Sequence, residues 1–423
     1  MMATVYAVLN RLWGSLSGLA TLALVGVVFS PEEQGFYYTF LSLLTFQTLV
    51  DLGFGGVVQQ LASHEWAKPP SQSRLASLVR IALRWYVASG MVVGVGLGLS
   101  GSIYFRRFAP DTSIAWEGIW WLSCVLTGAR FVTTPIFSVL EGVNRVDEVY
   151  AVRLAQAVSD RIAAIIAILG GGGLAAIPIA QAVSLATGLA GLGRQGIGFV
   201  RDHLKTVSAR ISWRQEVWPL QWRFAVSSAG GYVLFSLFTP VLFASHGAEV
   251  AGRMGMTLGV ATALTSTAFS FVATRVPRLA VFAARHEYQA MDEEFRRAAT
   301  RSMVFSTLGA VSFCGAIWTL SPVAERFLPL HESAILLAAS VLQQIRLAMG
   351  SYLRAHKKEP FTALYVAEGV LALGVLAPLG AHFGSMGMVL AFLAITVVML
   401  LPAIWIFGHC RSQWHATRLA EAV

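Results

Sequence analysis

Five arginines stand inside long apolar segments of this chain: Arg11, Arg130, Arg153, Arg161 and Arg346. Three carboxylates share that setting: Asp51, Asp160 and Glu368. A charge at bilayer depth costs about 3 kcal/mol on insertion scales, so such groups are retained where they bind, relay or pair. Guanidinium is planar, permanently charged and carries a fork of N–H donors that matches phosphate oxygens two at a time. A carboxylate in the same surroundings can load and release a proton. The arginines are therefore candidate substrate-binding residues of a cationic cavity, and Asp51, Asp160 and Glu368 are candidates for ion coupling. Because cations outnumber acids, the expected ligand is anionic.

Each residue also has a plainer role to weigh. Arg11 and Arg153 lie within two turns of a helix end and can extend to lipid headgroups. Arg130, Arg161 and Arg346 lie deeper, where the alternative is a structural ion pair. Asp160 and Arg161 are neighbours, hence about 100° apart around a helix, and do not pair face to face. Asp160 follows Arg153 by seven residues and lies on nearly the same face. Asp51 belongs to Asp51-Leu52-Gly53-Phe54-Gly55-Gly56, where glycines permit a bend; it is either a proton site or a cap at that bend.

The elements that hold these residues follow from hydropathy. The chain is 56% hydrophobic and 13% charged, whereas soluble domains carry roughly a quarter charged residues. Windows of helix length give twelve membrane spans, near 5–29, 35–58, 80–105, 116–140, 149–169, 174–192, 224–243, 251–272, 303–320, 334–354, 361–382 and 386–407. Loops alternate in charge. One set holds Lys68, Arg74, Arg145, Arg201, Arg214, Arg275, Arg278, Arg297, Arg301 and Arg411, while the other holds little beyond Arg106, Arg107 and Arg326. The positive-inside rule makes the first set cytoplasmic, with both termini on that side. The net charge of +9 is thus membrane topology, and no nucleic-acid partner is expected.

Other chemistries find no support in the residues. Cys124, Cys314 and Cys410 have no ligand spacing, and the His-Glu dipeptides at His64, His286 and His331 lack a second histidine at helical distance. No glycine loop with Lys-Ser or Lys-Thr is present to hold a nucleotide. We expect no enzyme activity, cofactor or metal. The first apolar segment lacks the basic start and cleavage site of a signal peptide. Trp116, Trp120, Trp121 and Trp318 on one side, with Trp213, Trp218, Trp222 and Trp405 on the other, are expected at the lipid–water interface.

Two local signals concern the frame. Ser30-Pro31-Glu32-Glu33 predicts a capping box at the start of span two, a structural role for both glutamates. Residues 195–223 place Ile197, Phe199, Val200, Leu204, Val207 and Ile211 among arginines and Lys205, predicting an amphipathic linker on the inner leaflet.

The halves also repeat. Arg107-Phe108-Ala109-Pro110 precedes Arg130, and Arg326-Phe327-Leu328-Pro329 precedes Arg346. Tyr150-Ala151-Val152-Arg153 and Tyr365-Val366-Ala367-Glu368 follow at matching places, which makes Arg153 and Glu368 a candidate pair across a central axis. The expected organisation is a six-helix lobe at 1–194, a linker at 195–223, a second six-helix lobe at 224–410 and a cytoplasmic tail at 411–423. Parallel repeats of this kind hold substrate near the midplane.

With Ser30-Pro31-Glu32-Glu33-Gln34-Gly35-Phe36-Tyr37, Asp51-Leu52-Gly53-Phe54 and this twelve-span layout, the chain resembles the multidrug/oligosaccharidyl-lipid/polysaccharide exporter superfamily. Within it the pattern is similar to the Wzx-type O-antigen and polysaccharide flippases. The resemblance implies an all-α polytopic fold of two six-helix lobes around a cationic cavity. It implies a polyprenyl-pyrophosphate-linked oligosaccharide as substrate, moved across the bacterial inner membrane. Membrane lipids and the proteins of polysaccharide polymerisation and assembly are the partners implied. An ion-coupled drug or metabolite antiporter of the same superfamily is the alternative.

Overall fold

The structure, a computed structural model, describes residues 2–51, 53–69, 74–205, 211–219, 221–222, 225, 234–319, 324–356 and 358–421; at 3–4, 7–8, 11–12, 15, 194–195, 205 and 415–421 it describes the backbone alone. The described residues are helical nearly throughout and contain no strand. That is what a bilayer demands of a chain without a closed barrel, since every backbone N–H and C=O must find its partner within the segment. The chain divides into two compact units, Met1–Tyr232 and Val233–Val423. The boundary expected at 223–224 falls outside the described residues.

The first unit opens with α1 (Met2–Val28). Span two is α2 (Pro31–Thr45), α3 (Gln47–Asp51) and α4 (Phe54–Trp66). The capping box forms as expected: the Ser30 side chain accepts from the Glu33 amide, and Glu33 returns to the Ser30 amide at 2.9 Å. Glu32 instead accepts from the Thr112 hydroxyl at 2.6 Å, tying this turn to the next outer loop. Span three is α5 (Leu75–Met91) and α6 (Gly98–Phe108), joined through a π-helical turn at Val92–Leu97. Then come α7 (Glu117–Gly142), α8 (Val146–Leu169) and α9 (Ala176–Lys205). Helix α9 bends at Gly193, whose φ is 53°, so 194–205 leaves the axis of span six. The expected linker helix does not run through to 223. Ser212 is extended, and a π-helical turn follows at Trp213–Val217.

The second unit holds α10 (Phe238–His246), α11 (Ala248–Ala273), α12 (Val276–Ala284), α13 (Tyr288–Thr319) and α14 (Leu330–Ala355). It ends with α15 (Thr362–Leu371), a π-helical turn at Ala372–Leu376 and α16 (Ala377–Glu421). Helix α16 bends at Gly384, whose φ is 67°, and the bend separates spans eleven and twelve. The described residues account for spans one to six and eight to twelve, and for the end of span seven at Phe238–His246. Eight described stretches are individually long and apolar enough to cross a bilayer, the last of them containing two spans. Helix α8 is not among them, because Arg153, Asp160 and Arg161 fall within its apolar stretch.

Packing in the first unit sets α8 between α1 and α9, and α7 against α4, α5 and α9. Glycine permits the closest of these approaches: a Cβ on Gly90 of α5 would strike the carbonyl of Gly128 on α7, and the reverse holds too. Two tryptophans expected at the interface are core residues instead. Trp116 and Trp120 are buried among Phe40 and Phe105, and the Trp120 indole donates to the Gly98 carbonyl at 3.2 Å. Trp213 stacks on Trp85 at 4.9 Å. Trp218, Trp222, Trp318 and Trp405 are exposed, as anchors should be.

Candidate functional site

The deep charges resolve into one cluster in each unit. In the first, Arg130 stands at the middle of α7, with Thr127 one turn earlier on the same face. The Thr127 hydroxyl accepts from Gln181 of α9 at 3.0 Å. Arg130 Nη1 lies 3.9 Å from Asp160 Oδ1 on α8, and the two side chains remain 41% and 25% exposed. Arg161, next along α8, is half-buried and forms no ion pair among the described residues. Tyr37 of α2 lies within electrostatic reach of both Arg161 and Asp160. Around them Thr187 donates to Ser159 at 2.9 Å, Gln156 to the Ser184 carbonyl at 3.1 Å, and the Trp13 indole to the Ala157 carbonyl at 3.1 Å. Helix α8 is thus held to α1 and α9 by polar contacts at the depth of its charges.

This cluster carries two guanidiniums and one carboxylate, and the nearest opposite charges are too far apart for a hydrogen bond. A guanidinium exposed at the middle of a span faces a wet path, because facing hydrocarbon costs about 3 kcal/mol or more. Arg130 and Arg161 thus leave a surplus of positive charge at this depth, with Tyr37 and Gln181 beside them.

The second unit builds the opposite arrangement. Arg346 of α14 donates to Glu368 Oε1 of α15 at 2.5 Å, with the side chains 3% and 1% exposed. The guanidinium lies 5.8 Å from the Tyr365 ring centroid. Arg346 Nε and Nη1 and Glu368 Oε2 are buried without a hydrogen-bond partner among the described residues. The Glu368 carbonyl receives the Ala372 amide where the π-helical turn begins.

Arg153 and Asp51 are held by neighbouring groups. Arg153 forms an ion pair with Glu141 at 2.8 Å and lies near the rings of Phe137 and Tyr150. The pairing expected between Arg153 and Glu368 is replaced by a partner within each unit. Asp51 accepts from the Tyr86 hydroxyl at 2.6 Å and from the amides of Gly53 and Gly55. Gly53 has φ 68°, a conformation that favours glycine, so the Asp-Leu-Gly sequence is a built break in span two with Asp51 as its cap. The side chain of Arg11 lies outside the described ones.

Sequence reasoning missed Glu141, Tyr86, Tyr37 and Gln181. Glu141 sits one residue beyond the limit given to span four, so it was legible as a helix-end carboxylate. Tyr86 and Tyr37 carry hydroxyls inside apolar spans, and a buried Tyr hydroxyl seeks a partner. Gln181 carried no such signal beyond its polarity.

No family model and no curated relative matches the sequence. Solved structures do match. An outward-facing multidrug-resistance MATE transporter of the MOP superfamily aligns over 98% of this chain and 95% of its own, with TM-score 0.59 and 11% identity. The MATE multidrug transporter DinF-BH, solved as a complex, aligns over 97% and 95%, with TM-score 0.60 and 11% identity. The lipid II flippase MurJ, in an inward closed conformation, aligns over 96% of this chain and 87% of its own, with TM-score 0.61 and 10% identity. The chain shares the fold of these three solved structures. The all-α, twelve-helix reading is thereby established, and the neighbours are transporters and flippases rather than enzymes.

Proposed function

We propose that this protein is a flippase for polyprenyl-pyrophosphate-linked oligosaccharide in the bacterial inner membrane, working by alternating access. The observation that carries this reading is the surplus of positive charge at mid-membrane in the first unit: Arg130 and Arg161 against Asp160, with Arg130 open and 3.9 Å from its acid. A pyrophosphate offers the oxygens that two guanidinium forks can grip. The sugar occupies the wet path, and the prenyl chain stays in lipid. Both termini face the cytoplasm on the charge of the loops. The lipid II flippase among the solved neighbours supports a lipid-linked substrate.

The test is complementation of a strain lacking its polysaccharide flippase, at matched membrane levels. Wild type restores surface polysaccharide, and Arg130→Ala/Arg161→Ala does not. Full rescue by the double variant overturns the anion-receiving role.

The MATE neighbours favour a second reading, an ion-coupled drug or metabolite antiporter on the same fold. Asp160, beside the open arginine, is then the coupling group. Export of a cationic dye by wild type, abolished by Asp160→Asn, favours the antiporter; export unaffected by that change removes it.

A further inference from the structure

The second unit holds a cavity of about 230 Å³ where spans eight and nine leave the membrane on their basic side. Its charged lining is Arg275, Arg278, Arg297 and Arg301 with a single carboxylate, Glu294. Helical spacing makes it. Glu294, Arg297, Ala298 and Arg301 recur at intervals of three and four along α13, and Phe271, Thr274 and Arg275 do the same at the end of α11. Arg278 enters from α12, beyond the Pro277 turn. Glu294 is shared between Arg275 at 3.4 Å and Arg278 at 3.7 Å, and Arg297 takes Glu293 at 3.1 Å. Arg301 has no ion pair or hydrogen bond among the described residues.

A cationic cavity at a helix end is commonly just a solvated face. Here the apolar side is organised as well. The Arg301 stripe of α13 continues into Phe305 and Leu308, which are exposed, and Phe305 meets the exposed Phe271 at 5.8 Å between ring centroids. Val304 and Val311 beside them are exposed too. Guanidiniums therefore lie at headgroup depth directly above a strip of aromatic and branched side chains at acyl-chain depth. Arginine forks recognise phosphate oxygens, and the strip takes hydrocarbon.

We propose that this pocket binds the phosphate-bearing headgroup of an anionic membrane lipid, with its chains lying along Phe271, Phe305 and Leu308. The site is separate from the Arg130 cluster and does not depend on the transport reading. A lipid held here braces the three helix ends against the repulsion of their own arginines.

The test is native mass spectrometry and thermal unfolding of the full chain in detergent, with phosphatidylglycerol, phosphatidylcholine or inorganic phosphate added. Phosphatidylglycerol is expected to stay bound and raise the melting temperature, and phosphatidylcholine to do neither. Arg301→Gln orphans no carboxylate, so it folds, and it lowers phosphatidylglycerol affinity about tenfold, the worth of one charge-assisted contact. Leu308→Ser weakens lipid retention but not competition by phosphate. Equal binding of phosphatidylglycerol to wild type and to Arg301→Gln/Arg275→Gln overturns the site. Inorganic phosphate binding as tightly as the lipid overturns the lipid and leaves a free-anion pocket.

Discussion

Arg130 and Arg346 occupy matching places in the two halves, yet they do opposite things. Arg130 stands on α7 and faces a carboxylate on the next helix, α8, as Arg346 on α14 faces one on α15. In the second unit the pair is closed, with Arg346 and Glu368 at 2.5 Å and nearly inaccessible. In the first, Arg130 and Asp160 are 3.9 Å apart and open. A buried pair has lost its hydration, and attraction only offsets that loss. The partnerless Nε and Nη1 of Arg346 add to the cost, so that pair acts as a fixed brace between α14 and α15. An open pair keeps water and can exchange its partner for a ligand. One sequence signal, an arginine inside an apolar span, thus has a closed, buried setting in one half and an open one in the other.

The largest effect should come from breaking the closed pair. Arg346→Ala strands Glu368 and should cost about 3–5 kcal/mol in unfolding experiments in detergent micelles. Arg346→Met combined with Glu368→Leu should recover most of that loss, because two apolar side chains need no partners. The contrast between the halves collapses if Arg130→Ala destabilises as much as Arg346→Ala.

A second contrast lies in the spans that follow the first outer turn of each unit. Span two is broken at Asp51, whereas α11 runs unbroken from Ala248 to Ala273. Tyr86→Phe removes one of three donors to Asp51 and should cost about 1.5–3 kcal/mol, the worth of a hydrogen bond to a charged group. Hydrogen exchange should then rise in α3 and the start of α4. Unchanged exchange there would mean that the glycine amides suffice to hold the break.

These contrasts show which parts of the molecule its sequence made legible. The twelve spans were, because a bilayer imposes length and hydropathy on each of them. The capping box was, because its two hydrogen bonds are local. Which face of a span turns inward was not: lipid and core are both apolar, so the pattern that separates inside from outside in soluble helices is weak here. Hence Trp116 and Trp120 read as anchors and prove to be core. The arginines were legible as a set, but their partners were not. Glu141 for Arg153, and Glu368 rather than a distant residue for Arg346, depend on how neighbouring helices rotate against each other.

On the basic side both units carry a carboxylate clamp, and the two differ in what they hold. In the first, Arg74 donates to both oxygens of Glu216 at 3.0 and 2.8 Å and also to Glu65, fastening the 211–217 segment. In the second, Asp292 accepts from Tyr352 at 2.7 Å and from Arg411, fastening the extension of α16. The Arg74 guanidinium and the Ser212 amide hold the Glu216 carboxyl below its ordinary value of 4.5. A lowered folded value means the contribution is complete above about 4.5 and is lost as pH falls through the folded value. Both side chains are partly exposed, so its size is about 0.5–1 kcal/mol. Proteolysis near 211–217 should therefore accelerate on acidification from pH 7 to pH 3. Glu216→Gln should be cut faster at pH 7 and respond less to acid; an identical pH response in both would remove Glu216 from the clamp.

The smallest change in stability should accompany the largest change in ligand binding, at the open pair. Arg130→Ala removes a half-exposed group whose acid lies beyond hydrogen-bond distance, so its cost should stay under about 1 kcal/mol. Inorganic pyrophosphate should raise the melting temperature of wild type and have no such effect on Arg130→Ala. Asp160→Asn sharpens the point. It deletes the carboxylate that competes with an incoming anion and leaves Arg130 and Arg161 in place, so pyrophosphate should protect this variant at lower concentration than it protects wild type. A weaker response in Asp160→Asn would mean that Asp160 positions the arginine for its ligand rather than competing for it, and the open pair would then be a built geometry like its closed counterpart.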